Sequence, residues 1–159
     1  DFKNCVIIMT SNIGADVITG NKKLGFTDNV SESREKEVIS EIRKKFSPEF
    51  INRIDKIAIF ESLNETELHS ITRRLLSKLR ERAEKIGISL SFDDSVISEI
   101  CKISETEKYG ARALKRTITE YAENLISEKL IKGEVSSGDD VLLTFSESGF
   151  VIKSLSANV

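Results

Sequence analysis

The chain has 159 residues, 39% hydrophobic and 31% charged, with a net charge of −2 at neutral pH, as expected of globular units with their own cores. Charges of both signs are interleaved, which excludes a basic field for nucleic acid or an anionic membrane surface. No apolar run approaches membrane-spanning length, no basic-then-apolar signal opens the chain, and Cys5 and Cys101 stand far apart without zinc spacing.

Val6-Ile7-Ile8-Met9 is a continuous apolar run that reads as a strand buried on both faces, as in a parallel α/β sheet. Thr10, Ser11 and Asn12 follow at its carboxyl end, where open α/β sheets place ligands. Residues 13–30 read as a loop, with room for a short helix. Ser31 or Ser33 is expected to cap a helix reaching Phe46, with Val38, Ile39, Ile42 and Phe46 at helical spacing. Ser47-Pro48 restarts a short helix to about Ile54, because proline suits the first helical position. Lys56–Phe60 reads as a second strand.

Composition changes near Leu63. Asn64 and Glu67 form a capping pair that opens a long helix. Its stripe is Leu68, Ile71, Leu75, Leu76, Leu79, Ala83 and Ile86, and Gly87 ends it. Ile88–Phe92 alternates as a strand, Asp93 or Asp94 caps a helix to about Ile103, and residues 110–131 read as one more helix. Val141, Leu143 and Phe145 alternate, Glu147-Ser148-Gly149 turns, and residues 150–155 return as a hairpin. The expected fold is thus an α/β fragment of a parallel sheet over residues 1–62, then a small, mostly helical α+β unit over 63–159.

Sites that complete a reaction are missing from the sequence. No G-x-x-x-x-G-K-[ST] phosphate loop occurs; Gly133 and Gly138 have its glycine spacing, but Asp139-Asp140 follows and would repel phosphate. Ile57-Ala58-Ile59-Phe60-Glu61 approaches a magnesium-binding strand end and lacks the aspartate. The single histidine, His69, lies within a helix and reads as a surface residue, not a catalytic base. Asn29 and Asn64 match the glycosylation sequon, which carries little weight without a secretion signal.

Three strings carry a resemblance. Ile7-Ile8-Met9-Thr10-Ser11-Asn12, then Phe46-Ser47-Pro48-Glu49-Phe50-Ile51-Asn52-Arg53-Ile54-Asp55, then Tyr109-Gly110-Ala111-Arg112-Ala113-Leu114 resemble, in order and spacing, the second ATPase module and C-terminal small domain of the Clp family of AAA+ unfoldases. The resemblance implies a fold of AAA+ sheet core plus lid domain, with ATP or ADP and magnesium bound in the parent. It implies that Asn12 is sensor 1, orienting the attacking water. Arg53 is then the arginine finger acting on a neighbouring subunit's nucleotide, and Arg112 is sensor 2 in the lid. Leu24-Gly25-Phe26 is similar to the tripeptide by which protease-coupled members dock on the ClpP peptidase. That tripeptide draws the resemblance toward ClpC, with ClpE and ClpA as neighbours. Ala113 stands where many relatives have proline.

Each residue also has a plainer reading. Asn12 would be a polar strand terminus, and Arg53 would pair with Asp55 or a helix dipole. Arg112 would be an ordinary helix arginine, although a cation at a helix N-terminus is unfavourable without an anion nearby. Leu24 and Phe26 would fold back onto their own unit, whereas apolar groups in a polar loop usually mark a contact.

The function these readings imply is the C-terminal part of an ATP-dependent unfoldase subunit that feeds proteins to a ClpP-type peptidase. Its expected partners are neighbouring subunits of a homo-hexamer, protein substrates and adaptors, in the cytoplasm or an organelle such as a plastid. No nucleic acid, membrane or metal bound by this chain is expected. Without a phosphate loop the chain alone is expected to be inactive. One rival is a non-catalytic module that caps or regulates such rings; another is a fragment of a ClpB-like disaggregase. A start on a buried strand without methionine is expected of a piece of a longer chain.

Overall fold

The structure, a computed structural model, describes residues 1–19 and 30–155. It forms two compact units, Asp1–Ser62 and Leu63–Val159.

The first unit contains helices α1 (Ala15–Thr19), α2 (Val30–Lys45) and α3 (Pro48–Ile51). Val38 of α2 is buried, and a side chain at Gly14 would meet it at 3.0 Å, so the entry to α1 packs closely on α2. Helix α2 begins at Val30, so Ser31 and Ser33 lie within it instead of capping it. Helix α3 starts as expected: the Ser47 hydroxyl accepts from the Phe50 amide at 3.3 Å, and Pro48 occupies the first turn. Phe46 stacks on Phe50 with ring centroids 5.0 Å apart. The helix ends at Ile51, three residues short of the expected Ile54.

The two strands expected here do not form among the described residues. Val6, Ile8 and Phe60 are 88%, 83% and 85% exposed. A strand is completed only by a neighbour that closes its ladder. Apolar side chains meant for both faces of a sheet find no such neighbour within this unit.

In the second unit, α4 (Glu65–Glu84) opens on a full capping box. The Asn64 side-chain oxygen accepts from the Glu67 amide at 2.9 Å, and the Glu67 carboxylate accepts from the Asn64 amide at 2.8 Å. Thr72, Leu76, Leu79 and Ala83 are buried along one face. Ile86 lies beyond the helix end and is exposed. Strand β1 (Ser89–Phe92) runs parallel to β2 (Asp140–Ser146), which pairs antiparallel with β3 (Gly149–Ser154). The hairpin matches the expected one, with Phe145 opposite Phe150. The parallel pairing needs a long crossover, which the intervening helices provide.

That crossover comprises α5 (Asp94–Ile103), α6 (Thr106–Tyr109), α7 (Ala111–Ile118), a π-helical turn (Thr119–Glu123) and α8 (Asn124–Ile131). Sequence periodicity missed α6 and read α7 to α8 as one uniform helix. Leu76, Ile97, Ile100, Leu114 and Leu143 are among the fully buried side chains that join helices to sheet. Each such burial contributes about 1.5–3 kcal/mol, and this unit holds nearly all of the buried apolar residues.

Candidate functional site

Asn12 sits between the apolar run and α1. Its carbonyl accepts from the Ala15 amide at 3.1 Å, and its exposed side chain makes no hydrogen bond among the described residues. Ser11 fixes the local turn by accepting from the Ile13 amide at 3.2 Å. The backbone is held while the Asn12 side-chain amide stays exposed.

Arg53 lies just past the C-terminal end of α3. The Ser47 cap and Pro48 fix that helix, and the Arg53 amide donates to the Phe50 carbonyl at 3.1 Å. Its guanidinium is exposed and, among the described residues, forms no ion pair with Asp55 or with another carboxylate. No hydrogen bond links it to Asn12 in the same unit.

Arg112 belongs to the second unit, in the first turn of α7. Gly110 makes the sharp junction with α6 at φ +57°, a conformation that glycine adopts without strain. Ala113 and Leu114 are buried behind it, at 5% and 0% exposure, so the turn is anchored while Arg112 points outward. The helix carries no acidic residue in its first turn, and among the described residues Arg112 has no ion pair or hydrogen-bond partner. Arg116, on the same helix, is instead held over the Tyr109 ring at 4.6 Å. The Ala113 amide donates to the Gly110 carbonyl at 3.1 Å, a bond that proline at this position could not make.

Leu24, Gly25 and Phe26 lie outside the described residues. Among the described residues no group of His, Cys, Asp and Glu could hold a metal ion, and no helix is long and apolar enough to cross a membrane. Cys5 and Cys101 are both free thiols. Cys101 is half-buried beside the Thr72 hydroxyl at 3.2 Å, and burial pushes its thiol pKa up. His69 is half-buried on α4.

Two features escaped the sequence reading. One is a polar knot around Asp93 at the start of α5, which joins residues about fifty positions apart. The other is a cleft floored by Tyr121, Phe145 and Phe150. The phenylalanines were legible as a hairpin pair, but nothing local pointed Tyr121 toward them.

A family model described as the C-terminal, D2-small domain of ClpB protein matches residues 63–143. Another, described as an AAA domain (Cdc48 subfamily), matches residues 1–57. The chain is 35% identical over 158 residues to the negative regulator of genetic competence ClpC/MecB of Bacillus subtilis, covering 96% of this chain and 19% of that protein. It is 37% identical over 153 residues to the chaperone protein ClpB of Oceanobacillus iheyensis, covering 94% of this chain and 19% of that protein. The chain thus spans about a fifth of the length of these relatives. Among solved structures it resembles Hsp104 of S. cerevisiae in its extended casein complex, with a TM-score of 0.77 at 29% identity over 95% of this chain and 26% of that one. A closed-state Hsp104 reconstruction with ATPγS and casein matches with a TM-score of 0.76 at 27% identity, over 96% of this chain and 26% of that one. An AAA match followed by a D2-small match fills the chain in the order the motifs require, and the chain belongs to the Clp family of AAA+ proteins, of which it covers the C-terminal part of the AAA module and its small domain.

Proposed function

We propose that this chain is the C-terminal part of the second ATPase module of a ClpC-like unfoldase subunit. The first unit is the end of the large α/β subdomain, and the second is the lid. Asn12 acts as sensor 1, Arg53 as the finger offered to a neighbouring subunit's nucleotide, and Arg112 as sensor 2. ATP with magnesium, held in the assembled subunit, would supply the terminal phosphoanhydride bond whose hydrolysis, with transfer of the phosphoryl group to water, drives unfolding. Partners are a ClpP-type peptidase, the other subunits of a homo-hexamer, protein substrates and adaptors. The setting is the cytoplasm or a plastid, as for the chloroplastic relative ClpD1 of rice.

The observation that carries this reading is the state of the two arginines. Arg53 and Arg112 stand in two of the three strings of the resemblance, are exposed, and lack a carboxylate partner among the described residues. A guanidinium keeps its charge and presents a fork that fits phosphate oxygens. Neither Asn12, Arg53 nor Arg112 offers an anionic ligand to magnesium, so these residues fit the phosphates and leave the ion to other groups.

The test is a mixing experiment in the subunit that carries this segment. Arg53→Ala subunits bind ATP but hydrolyse it slowly, with a loss of about 10³–10⁵ if the finger resembles those of related systems. Mixed with subunits disabled in the phosphate loop, they regain part of the activity, because the intact finger serves the next subunit. Absence of rescue in verified mixed rings refutes the trans role.

A disaggregase reading has support of its own, from the ClpB relative at 37% identity and from the Hsp104 structures. It shares every role above except the peptidase dock.

A further inference from the structure

The second unit carries a cleft of about 450 Å³ that none of the roles above uses. Its floor is aromatic. Tyr121 lies 5.4 Å from Phe150 between ring centroids, and Phe150 meets Phe145 edge-on at 5.0 Å. Leu125 continues the apolar surface from the helix side. Tyr121 sits within the π-helical turn Thr119–Glu123. Such turns offset the side chains that follow and recur at functional sites.

The rim is acidic. Glu99 of α5, Glu120 of the π turn and Glu128 of α8 all line the cleft, and no lysine or arginine does. Glu120 has no partner. Glu99 and Glu128 are approached from outside by Lys102 at 3.5 Å and by Lys132. The Lys132–Glu128 pair is solvent-exposed on both sides, so it contributes little and yields readily to a competing cation, whereas the Glu99 side chain is largely covered and only Lys102 of that pair is exposed. Among the described residues, the Tyr121 hydroxyl and the Asn124 side-chain amide, also in the cleft, make no hydrogen bonds.

We infer that this cleft is a docking site for a short peptide segment with an apolar anchor flanked by Lys or Arg. The anchor lies on Tyr121, Phe145 and Phe150, where aromatic faces take aliphatic and aromatic side chains. The flanking cations meet Glu120 and the other two carboxylates, which set charge selectivity. Tyr121 and Asn124 are free to bond the segment's backbone. This is independent of the nucleotide roles assigned to Asn12, Arg53 and Arg112.

The test uses the whole 159-residue chain, labelled with ¹⁵N, titrated with acetyl-Lys-Leu-Phe-Arg-amide and with acetyl-Glu-Leu-Phe-Glu-amide. The cationic peptide should shift amides around Glu99, across 120–128 and across 145–150. The acidic peptide should bind at least about tenfold more weakly, since like charges facing each other are costly. Added salt should weaken the cationic complex. Glu120→Lys, an exposed change, should weaken it as well, and Tyr121→Ala should abolish it while the far-ultraviolet circular dichroism stays unchanged. Equal binding of the two peptides, shifts outside the cleft, or an unaffected Glu120→Lys variant overturns the proposal. So does a concentration-dependent change of the same amides without peptide, which would make a second copy the occupant.

Discussion

The Thr144 hydroxyl donates to the Asp93 carboxylate at 2.6 Å, joining strand β2 to the N-cap of α5. The same carboxylate accepts from the Ser95 hydroxyl and from the Ser95 and Val96 amides. The Ser95 hydroxyl in turn accepts from the Phe145 amide at 3.0 Å. One aspartate therefore caps the start of a helix and registers it against a strand about fifty residues later.

Asp93 makes stability depend on acid. Burial pushes its carboxyl pKa up, but the hydrogen bonds from Ser95, Thr144 and Val96 outweigh this and leave it below the ordinary value. A carboxyl lowered on folding stabilises the fold above the unfolded-state pKa, about 3.9. That contribution is lost as pH falls through the lower folded value. Asp93→Ala should cost about 2–3 kcal/mol at pH 7, from the lost cap and the stranded Thr144 hydroxyl. Asp93→Asn should cost less and should flatten the decline between pH 5 and pH 3. Urea unfolding followed by tyrosine fluorescence checks this, because both tyrosines, Tyr109 and Tyr121, lie in the second unit.

Gly87 ends the turn after α4 at φ +81°. A Cβ there would stand 2.2 Å from the Ser137 hydroxyl. That hydroxyl can rotate away, whereas the backbone conformation cannot change without breaking the Gly138 amide's 2.7 Å bond to the Gly87 carbonyl. Gly87→Ala should therefore cost about 1–2 kcal/mol, set by the left-handed conformation. Adding Ser137→Ala should recover little of it. Full recovery in the double variant would place the cost in the side-chain clash instead.

Local signals in the sequence translated well, and partners distant in sequence did not. Asn64 and Glu67 lie three residues apart, so their box and the stripe through Leu76 and Ala83 fixed α4 with no knowledge of the rest. The Val6–Met9 and Lys56–Phe60 runs show apolar strand chemistry, but neither finds a ladder partner within its unit; Val6–Met9 and Phe60 remain exposed, and Ile57 and Ile59 are half-buried. The pairing of Leu90 with Val141 spans about fifty residues, and alternation cannot choose between parallel and antiparallel neighbours. The π turn at Thr119–Glu123 leaves no mark in apolar spacing, so the position of Tyr121 was hidden. Arg112 was expected at a helix start and stands there; its lack of a partner needed the structure.

Arg112 and Leu114 lie within one turn of α7, one exposed and the other fully buried. Arg112 is exposed and unpaired, so Arg112→Ala should change stability by less than about 0.5 kcal/mol. Leu114 is fully buried, and Leu114→Ala should cost about 2–5 kcal/mol. In the subunit that carries this segment, Arg112→Ala should nevertheless suppress nucleotide binding or hydrolysis. A stable variant with undiminished ATPase activity would remove sensor 2 from the proposal, whereas a marked loss of stability would make Arg112 structural.

Leu24-Gly25-Phe26 decides between the protease-coupled and disaggregase readings. Burial of Leu24 or Phe26 in a partner contributes about 1.5–3 kcal/mol each, and association costs consume most of that for a single loop. In the proposed ring, one such tripeptide per subunit would bind far more tightly through effective concentration. Phe26→Ala in the ring-forming subunit should therefore abolish ATP-driven degradation with a ClpP-type peptidase while leaving ATPase activity and assembly nearly intact. If wild-type rings never support degradation, and disaggregate protein instead, the ClpB-like reading holds and the tripeptide is not a dock. If Phe26→Ala lowers ATPase activity and assembly together, the side chain packs within its own unit.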